Sequence, residues 1–328
     1  MYSFEQIEGN DFIKNSIKKS IQFNKISHSY IFDGPALSGK KLLAMSFAKT
    51  LLCEEKGETA CGHCISCRSF EAFNNPDVCF VRPVKSSSIG VDDIREQVIS
   101  TIAVKPYKYR YKIYIIDKAD KMTIQAQNAL LKTIEEPPEY GVFFLISSNL
   151  GSFLETILSR CVVFKLKPIG RKKIEDYLVK NGVDKNIAGV CASYSAGSVG
   201  QALKLAKDDE FNGFRRDIID ILMNLEEKSV KSVFKSAKAF EKYKENIDEA
   251  FNILYLWYRD ALIYKSTLKE GFLFEADKLK DIAGFSKNKS LNMLLSGIEA
   301  VSEAKTYTKY NSNFTMTIEV MFMKLAGL

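Results

Sequence analysis

Nine residues, DGPALSGKK at positions 33–41, have the composition and spacing of a loop that binds phosphate. Gly34, Gly39 and Lys40 fit the G-x-x-x-x-G-K-[ST] pattern. In that pattern, backbone N–H groups and the start of the next helix hold the phosphates, and the lysine reaches the terminal ones. The last position should carry a hydroxyl that binds magnesium, but here it is Lys41. The sequence therefore predicts a phosphate loop that lacks a metal ligand.

A second candidate for metal chemistry is Asp117, at the end of the apolar run YKIYIID. A carboxylate at the end of such a strand would face magnesium in a working phosphate site. The residue that follows is often a glutamate that activates water, but here it is Lys118. A lysine that is protonated at neutral pH cannot accept a proton from water. Lys41 and Lys118 together therefore predict a nucleotide hydrolase that has been disabled.

Four cysteines form the pattern C-x7-C-x2-C-x2-C within CEEKGETACGHCISC, and they are Cys53, Cys61, Cys64 and Cys67. Four thiolates make a tetrahedral sulfur site that suits zinc, and a fully protein-ligated ion has a structural role. The alternative is four reduced thiols in a surface loop, and His63 is a weaker competing ligand. The other cysteines, Cys79, Cys161 and Cys191, are expected to be small buried hydrophobic residues.

The first half of the chain alternates apolar strands with amphipathic helices, which predicts a parallel α/β sheet with helices on both faces. The predicted strands are SYIF, DVCFVRP, YKIYIID, GVFFLIS and CVVFKL. In such a sheet, ligands bind beyond the carboxyl ends of the strands, where the phosphate loop falls.

After Pro168 the pattern is helical throughout. We predict an α/β domain over residues 1–167 with the cysteine module at 53–67, a small helical domain over 168–208 and a longer helical domain over 209–328. Lysines 228, 231, 235, 238 and 242 are expected to lie along a solvated helix surface.

Composition places the chain among ordinary globular proteins, with 46% hydrophobic residues, 27% charged residues and a net charge of +7. The mild positive charge is compatible with a nucleic-acid partner but does not require one. The sequence begins without a secretory leader pattern, and its apolar runs are too short to span a membrane, so we expect a cytoplasmic protein. Disulfides are then not expected.

Several of these stretches together resemble subunits of the bacterial replicative clamp loader, a machine of the AAA+ superfamily. They are HSYIFDGP, the cysteine cluster, NPD, NALLKTIEEPP, TILSRC and, near the end of the chain, NSN at 311–313. The resemblance implies an AAA+ α/β domain with a zinc-binding insertion, a small helical lid domain and a C-terminal collar that holds the complex together. The implied partners are the motor (gamma/tau) and delta subunits and, indirectly, the sliding clamp and primed DNA.

The resemblance also assigns roles to residues that composition alone would leave unremarked. The arginine of SRC, Arg160, would approach the γ-phosphate bound by a neighbouring subunit. Gly200 stands where the family has an ATP-sensing arginine, and Ser148 or Asn149 where it senses phosphate. Changes at Lys41, Lys118 and Gly200 resemble a non-hydrolysing subunit of the polymerase holoenzyme, with no ATPase or polymerase activity of its own.

Two alternative functions follow from the same residues. The chain could be an ATP-hydrolysing motor subunit with atypical motifs, or a zinc-dependent nucleic-acid-binding module. The candidate residues of the degenerate nucleotide site are Gly34, Gly39, Lys40, Lys41 and Asp117. This site is compatible with binding ATP or ADP without hydrolysis, and equally with no nucleotide binding.

Overall fold

The computed structural model describes residues 2–84, 88–208, 210–225, 228–310 and 312–328, so Asn311 of the NSN motif lies outside the described residues. The chain divides into two compact units. The first extends to Gly170 and includes Gly197–Gln201; the second holds Arg171–Ala196 and Ala202–Leu328. The boundaries predicted for three domains remain a prediction.

The first unit is built on a five-stranded sheet in the order β2-β3-β4-β1-β5. The strands are β1 Ser29–Asp33, β2 Val78–Val81, β3 Lys112–Ile116, β4 Gly141–Ser147 and β5 Val162–Lys165. Every pairing between them is parallel. The predicted fold class, a parallel α/β sheet followed by helices, is confirmed.

Helices connect these strands. They are α1 Asp11–Gln22, α2 Lys40–Leu52, α3 Ile65–Glu71, α4 Val91–Ile94, α5 Ser100–Ile102, α6 Ile124–Glu135 and α7 Glu155–Leu158. A π-helical turn at Arg95–Ile99 joins α4 to α5, so the helix predicted from VDDIREQVIST is not purely α-helical. Short 3₁₀ turns lie at Phe4–Gln6, Ala119–Lys121 and Leu150–Ser152.

The sheet separates two apolar cores because alternate strand residues point to opposite faces. Tyr30, Phe32 and Phe144 enter one core, while Ile31 and Phe143 enter the other. The strands β1, β3 and β4 are buried on both faces and read as continuous apolar runs, which explains why the sequence pattern located them well.

The second unit is helical. Its helices are α8 Arg171–Lys180, α9 Lys185–Tyr194, α11 Phe211–Met223, α12 Val230–Phe240, α13 Ile247–Thr267, α14 Leu279–Lys287, α15 Leu291–Lys309 and α16 Phe314–Ala326. Helix α10, Val199–Ala206, contributes its first residues to the first unit and the rest to the second. Further 3₁₀ turns lie at Glu241–Asn246, Glu270–Phe272 and Ala276–Lys278. Trp257 on α13 is fully buried in the core of α11–α16. Among the described residues, none of the helices combines the length and the apolar character that crossing a membrane requires.

A buried polar network lies within the second unit. Arg215 on α11 is 5% exposed and donates to the fully buried carboxylate of Glu275 and, from Nη1 at 2.9 Å, to Asp277. The Tyr194 hydroxyl at the end of α9 donates to the same Glu275. Burial raises the pKa of Glu275, although the guanidinium of Arg215 opposes that effect. The network therefore ties α9 and α11 to the segment that precedes α14.

Candidate functional site

The phosphate loop follows β1 and ends where α2 begins. Gly39 is the N-cap of α2 with φ of 89°, a left-handed conformation that glycine adopts without strain. The Lys40 side chain folds back onto the loop, where its ammonium group donates to the carbonyl oxygens of Gly34 at 2.7 Å and Pro35 at 3.0 Å. A third hydrogen bond, at 2.6 Å, goes to the Ser148 hydroxyl. All three donors of the lysine are thus used within the chain.

Lys41 forms an ion pair with Asp117, with 2.6 Å between Nζ and Oδ2. Asp117 directly follows β3, as the sequence predicted for a carboxylate that would face magnesium. Its other oxygen accepts a hydrogen bond at 3.0 Å from the backbone N–H of Lys118. The ammonium group of Lys41 therefore neutralises the carboxylate that would otherwise be available to face a magnesium ion.

The segment that contains Gly200 presses directly on the phosphate loop, and both belong to the first unit. The Ser198 hydroxyl donates to the carbonyl of Ala36, and the Gly200 backbone N–H donates to the carbonyl of Leu37, each at 3.2 Å. A Cβ atom on Gly200 would lie 2.5 Å from that Leu37 oxygen. An arginine at this position would collide with the backbone of the loop, so the glycine is required by the close approach.

Two residues were candidates for a phosphate sensor, and the structure distinguishes them. Ser148 accepts the hydrogen bond from Lys40 and therefore borders the phosphate loop. The Asn149 side chain instead accepts a hydrogen bond at 3.0 Å from the backbone N–H of Gly151 in the following turn. Of the two residues, Ser148 is the one that contacts the lysine of the loop, and its observed contact is structural.

Arg160 lies near the opposite end of the strands from the phosphate loop. It precedes β5, whereas the loop follows β1, and the two strands are paired in parallel. A five-residue strand, about 16 Å long, therefore separates the two positions. The guanidinium is 40% exposed and pairs with Glu135 at 3.0 Å. Arg160 is therefore an exposed residue that lies away from the phosphate loop of its own chain.

The four cysteines predicted to bind metal come together. Cys53 caps the end of α2, Cys64 is the N-cap of α3, and all four sulfur atoms lie within 4.8 Å of one another. The Cys61 and Cys67 sulfurs are 3.9 Å apart. Tetrahedral zinc with Zn–S bonds of about 2.3 Å requires sulfur separations of about 3.8 Å. The four-sulfur cluster could therefore hold one metal ion.

Hydrogen bonds in the cluster favour sulfur as an acceptor. Backbone N–H groups of Cys61, Cys64 and Cys67 each approach the sulfur of another cysteine at 3.4 Å. Burial raises the pKa of the Cys67 thiol. At Cys64, burial is outweighed by hydrogen bonds from backbone and neighbouring thiol groups, and the pKa is about 7. The N–H donors are suited to stabilising thiolates, which are the metal-binding form.

His63 is placed beside the cluster rather than in it. Its Nε2 atom is 2.7 Å from the Glu55 carboxylate, and both side chains are exposed. Glu55, His63 and Cys61 form a second group whose ligand atoms are close enough for a metal. The four-sulfur set includes the buried Cys53 and Cys67, so it is the more enclosed of the two.

Helix α2 connects the two candidate sites, a link that the sequence did not reveal. The helix runs from the phosphate-loop lysine to the residue before Cys53. Near its end, the fully buried ammonium group of Lys49 pairs with Glu71 on α3 at 2.6 Å. The sequence shows Lys49 within an otherwise apolar stretch, but it does not identify Glu71 as the partner of this lysine. The cysteine module is thereby fixed to the helix that begins at the phosphate loop.

Comparison with known proteins is consistent across both units. The family models described as "DNA polymerase III, delta subunit" and its C-terminal counterpart match residues 9–170 and 213–325. Subunit delta' of DNA polymerase III from Bacillus subtilis is 29% identical, over 93% of this chain and 93% of its own. Subunit tau from the same organism is 27% identical over 98% of this chain but only 61% of its own length.

Among solved structures, a DNA polymerase III gamma-subunit-related protein from Thermotoga maritima has a TM-score of 0.45 and 18% identity, covering 95% of this chain and 99% of its own. The two family models together match most of the sequence, in the same order as the two parts of the fold. The chain therefore belongs to the family of DNA polymerase III clamp-loader subunits.

Proposed function

We propose that the chain is the non-hydrolysing, delta-prime-type subunit of a clamp loader. It would assemble with motor (gamma/tau) and delta subunits and help to load the sliding clamp onto primed DNA, which implies a cytoplasmic location. The observation that carries the proposal is the ion pair between Lys41 and Asp117. The pair sets a cation, instead of a metal-binding hydroxyl, beside the carboxylate that would face a magnesium ion.

Three further features support a site without turnover. Lys118 occupies the position of a water-activating base, and a protonated lysine cannot serve as one. Gly200 leaves no room for a sensing arginine beside Leu37. Nucleotide phosphate would also have to displace the three internal hydrogen bonds of Lys40.

Arg160 has a role in this proposal that does not depend on the chain's own loop. We propose that it is an arginine finger, which reaches the γ-phosphate held by the neighbouring motor subunit. Its pair with Glu135 is half exposed. Because such surface pairs contribute only about 0–1 kcal/mol, the guanidinium can exchange the carboxylate for a phosphate at little cost.

The alternative is an ATP-hydrolysing motor subunit of the gamma/tau type, and the match to tau over nearly the whole chain favours it. A steady-state hydrolysis assay on the pure chain separates the two. We expect no turnover of magnesium–ATP, and no difference between the natural chain and Lys40→Ala. Turnover that Lys40→Ala abolishes would establish the motor alternative instead.

Lys41→Ser tests why the loop is inactive. The substitution removes the cation from Asp117 and supplies the hydroxyl that the motif lacks. We expect ATP affinity, measured by titration calorimetry, to become magnesium-dependent, while hydrolysis stays absent because Lys118 remains. The matched control is Lys56→Ser, because Lys56 is exposed as Lys41 is. Lys49 would not serve, since its side chain is buried. ATP binding by the natural chain with the same magnesium dependence would contradict this account of Lys41.

We propose that the four-cysteine cluster binds a structural zinc ion. We expect one zinc per chain by elemental analysis and its loss in Cys64→Ser, with a lower melting temperature because the ion joins the end of α2 to α3. Cys79→Ser, which changes a cysteine outside the cluster, should keep the metal. A zinc content far below one per chain in protein purified without chelator would count against the site.

A further inference from the structure

One face of α12 carries four lysines: Lys231, Lys235, Lys238 and, in the 3₁₀ turn that follows, Lys242. All four are exposed. Their spacing of four, three and four residues places them on one side of the helix. The opposite side, with Val233, Ala237 and Phe240, is buried in the core of the second unit. We call the four lysines the lysine face.

Among the described residues, the positive charge on this face has no ion-pair partner. Helix α12 contains no aspartate or glutamate. Within the part of the chain that the structure describes, no ion pair involves any of the four lysines, whereas Lys324 elsewhere in the same unit pairs with Glu303. The nearest acidic residue in sequence, Glu241, accepts a hydrogen bond from Thr315 at 2.6 Å. The lysine face is therefore a concentrated positive surface that is open to a negatively charged partner.

An aromatic side chain accompanies the charge. Phe234 is 45% exposed and lies three residues after Lys231 and four before Lys238, at the border of the lysine face. Lysines that track a phosphate backbone, beside an aromatic ring on which a base can stack, are the two elements of single-strand recognition. An acidic protein segment would use the lysines but would gain nothing specific from an exposed phenyl ring.

We propose that the lysine face with Phe234 binds a single-stranded nucleic acid. Along the helix, Lys231 and Lys238 are about 10 Å apart at 1.5 Å per residue, so the face can follow a strand over several nucleotides. This inference goes beyond the proposed function, in which contact with DNA is indirect. It does not depend on Arg160, on zinc or on the phosphate loop.

The test uses the full chain and a fluorescently labelled oligo-dT strand of 20 nucleotides, with anisotropy measured at several salt concentrations. Binding that uses four lysine–phosphate contacts should have a slope of log K against log salt of about −3, from about −0.7 per contact on single strands. Replacing all four lysines of the face with glutamine should abolish most of that slope. Phe234→Ala should weaken binding by about fivefold or more while leaving the slope unchanged, because stacking carries no charge.

The matched control replaces four exposed lysines elsewhere in the same unit, Lys173, Lys180, Lys280 and Lys287, with glutamine. It removes the same charge and should retain the affinity. Equal weakening in both variants would overturn the proposal, because general attraction to a basic protein would then explain binding. Displacement of oligo-dT by polyglutamate at equal charge concentration, with no effect of Phe234→Ala, would assign the face to an acidic protein segment and also overturn it.

Discussion

Replacing Arg160 with alanine is expected to leave the clamp loader assembled but to slow ATP hydrolysis at the neighbouring site by about 10³- to 10⁵-fold, the range for an arginine supplied in trans. The reason is that alanine has no guanidinium group to stabilise the charge that develops on the transferred phosphate. The measurement is DNA-stimulated hydrolysis and clamp loading by a complex reconstituted with motor and delta subunits. Because the other nucleotide sites of the complex still hydrolyse ATP, the total rate of hydrolysis falls only by the contribution of this one site.

Two further variants separate the finger from a general charge effect. Arg160→Lys keeps the charge but loses the planar fork of donors, so we expect most of the defect to remain. Arg95→Ala removes another exposed arginine of the first unit and should have no effect. Full activity of the Arg160→Ala complex would exclude this residue from the mechanism, but it would not bear on the proposal that the phosphate loop is inactive.

Arg215→Ala is expected to lower the free energy of unfolding of the chain by about 3–5 kcal/mol. The substitution leaves the carboxylate of Glu275, which is fully buried, without the cation that compensates it. The folded state then bears the whole free-energy cost of removing that carboxylate from water, because no cation offsets it. Chemical denaturation followed by the fluorescence of Trp257, which is the single tryptophan, reports on the second unit directly.

The double variant Arg215→Met with Glu275→Met tests the reason for the loss. Because it removes both charges, it should recover much of the stability lost in Arg215→Ala. Lys324→Ala breaks the half-exposed pair with Glu303 and should cost only about 0–1 kcal/mol. If Arg215→Ala proved no more harmful than Lys324→Ala, the network would not stabilise this unit.

Local patterns in the sequence determined much of the fold and of the site. Strands such as GVFFLIS, observed as Gly141–Ser147, were found because a strand buried on both faces is a continuous apolar run. The phosphate loop and the four cysteines were recognisable because their residues are close in sequence and their spacing is fixed by one turn or one metal ion. Family membership, too, was predicted from short motifs.

Tertiary structure decided which residues meet. The sequence contained Lys41 and Asp117 but not their pairing across 76 residues, and it contained Gly200 but not its contact with Leu37. It likewise gave no sign that Arg215, Glu275 and Tyr194 share one buried network, or that the lysine face has no ion-pair partner among the described residues. The physical reason is that periodicity and spacing act within one element, whereas these contacts depend on how separate elements pack, and packing is set by side chains that are distant in sequence.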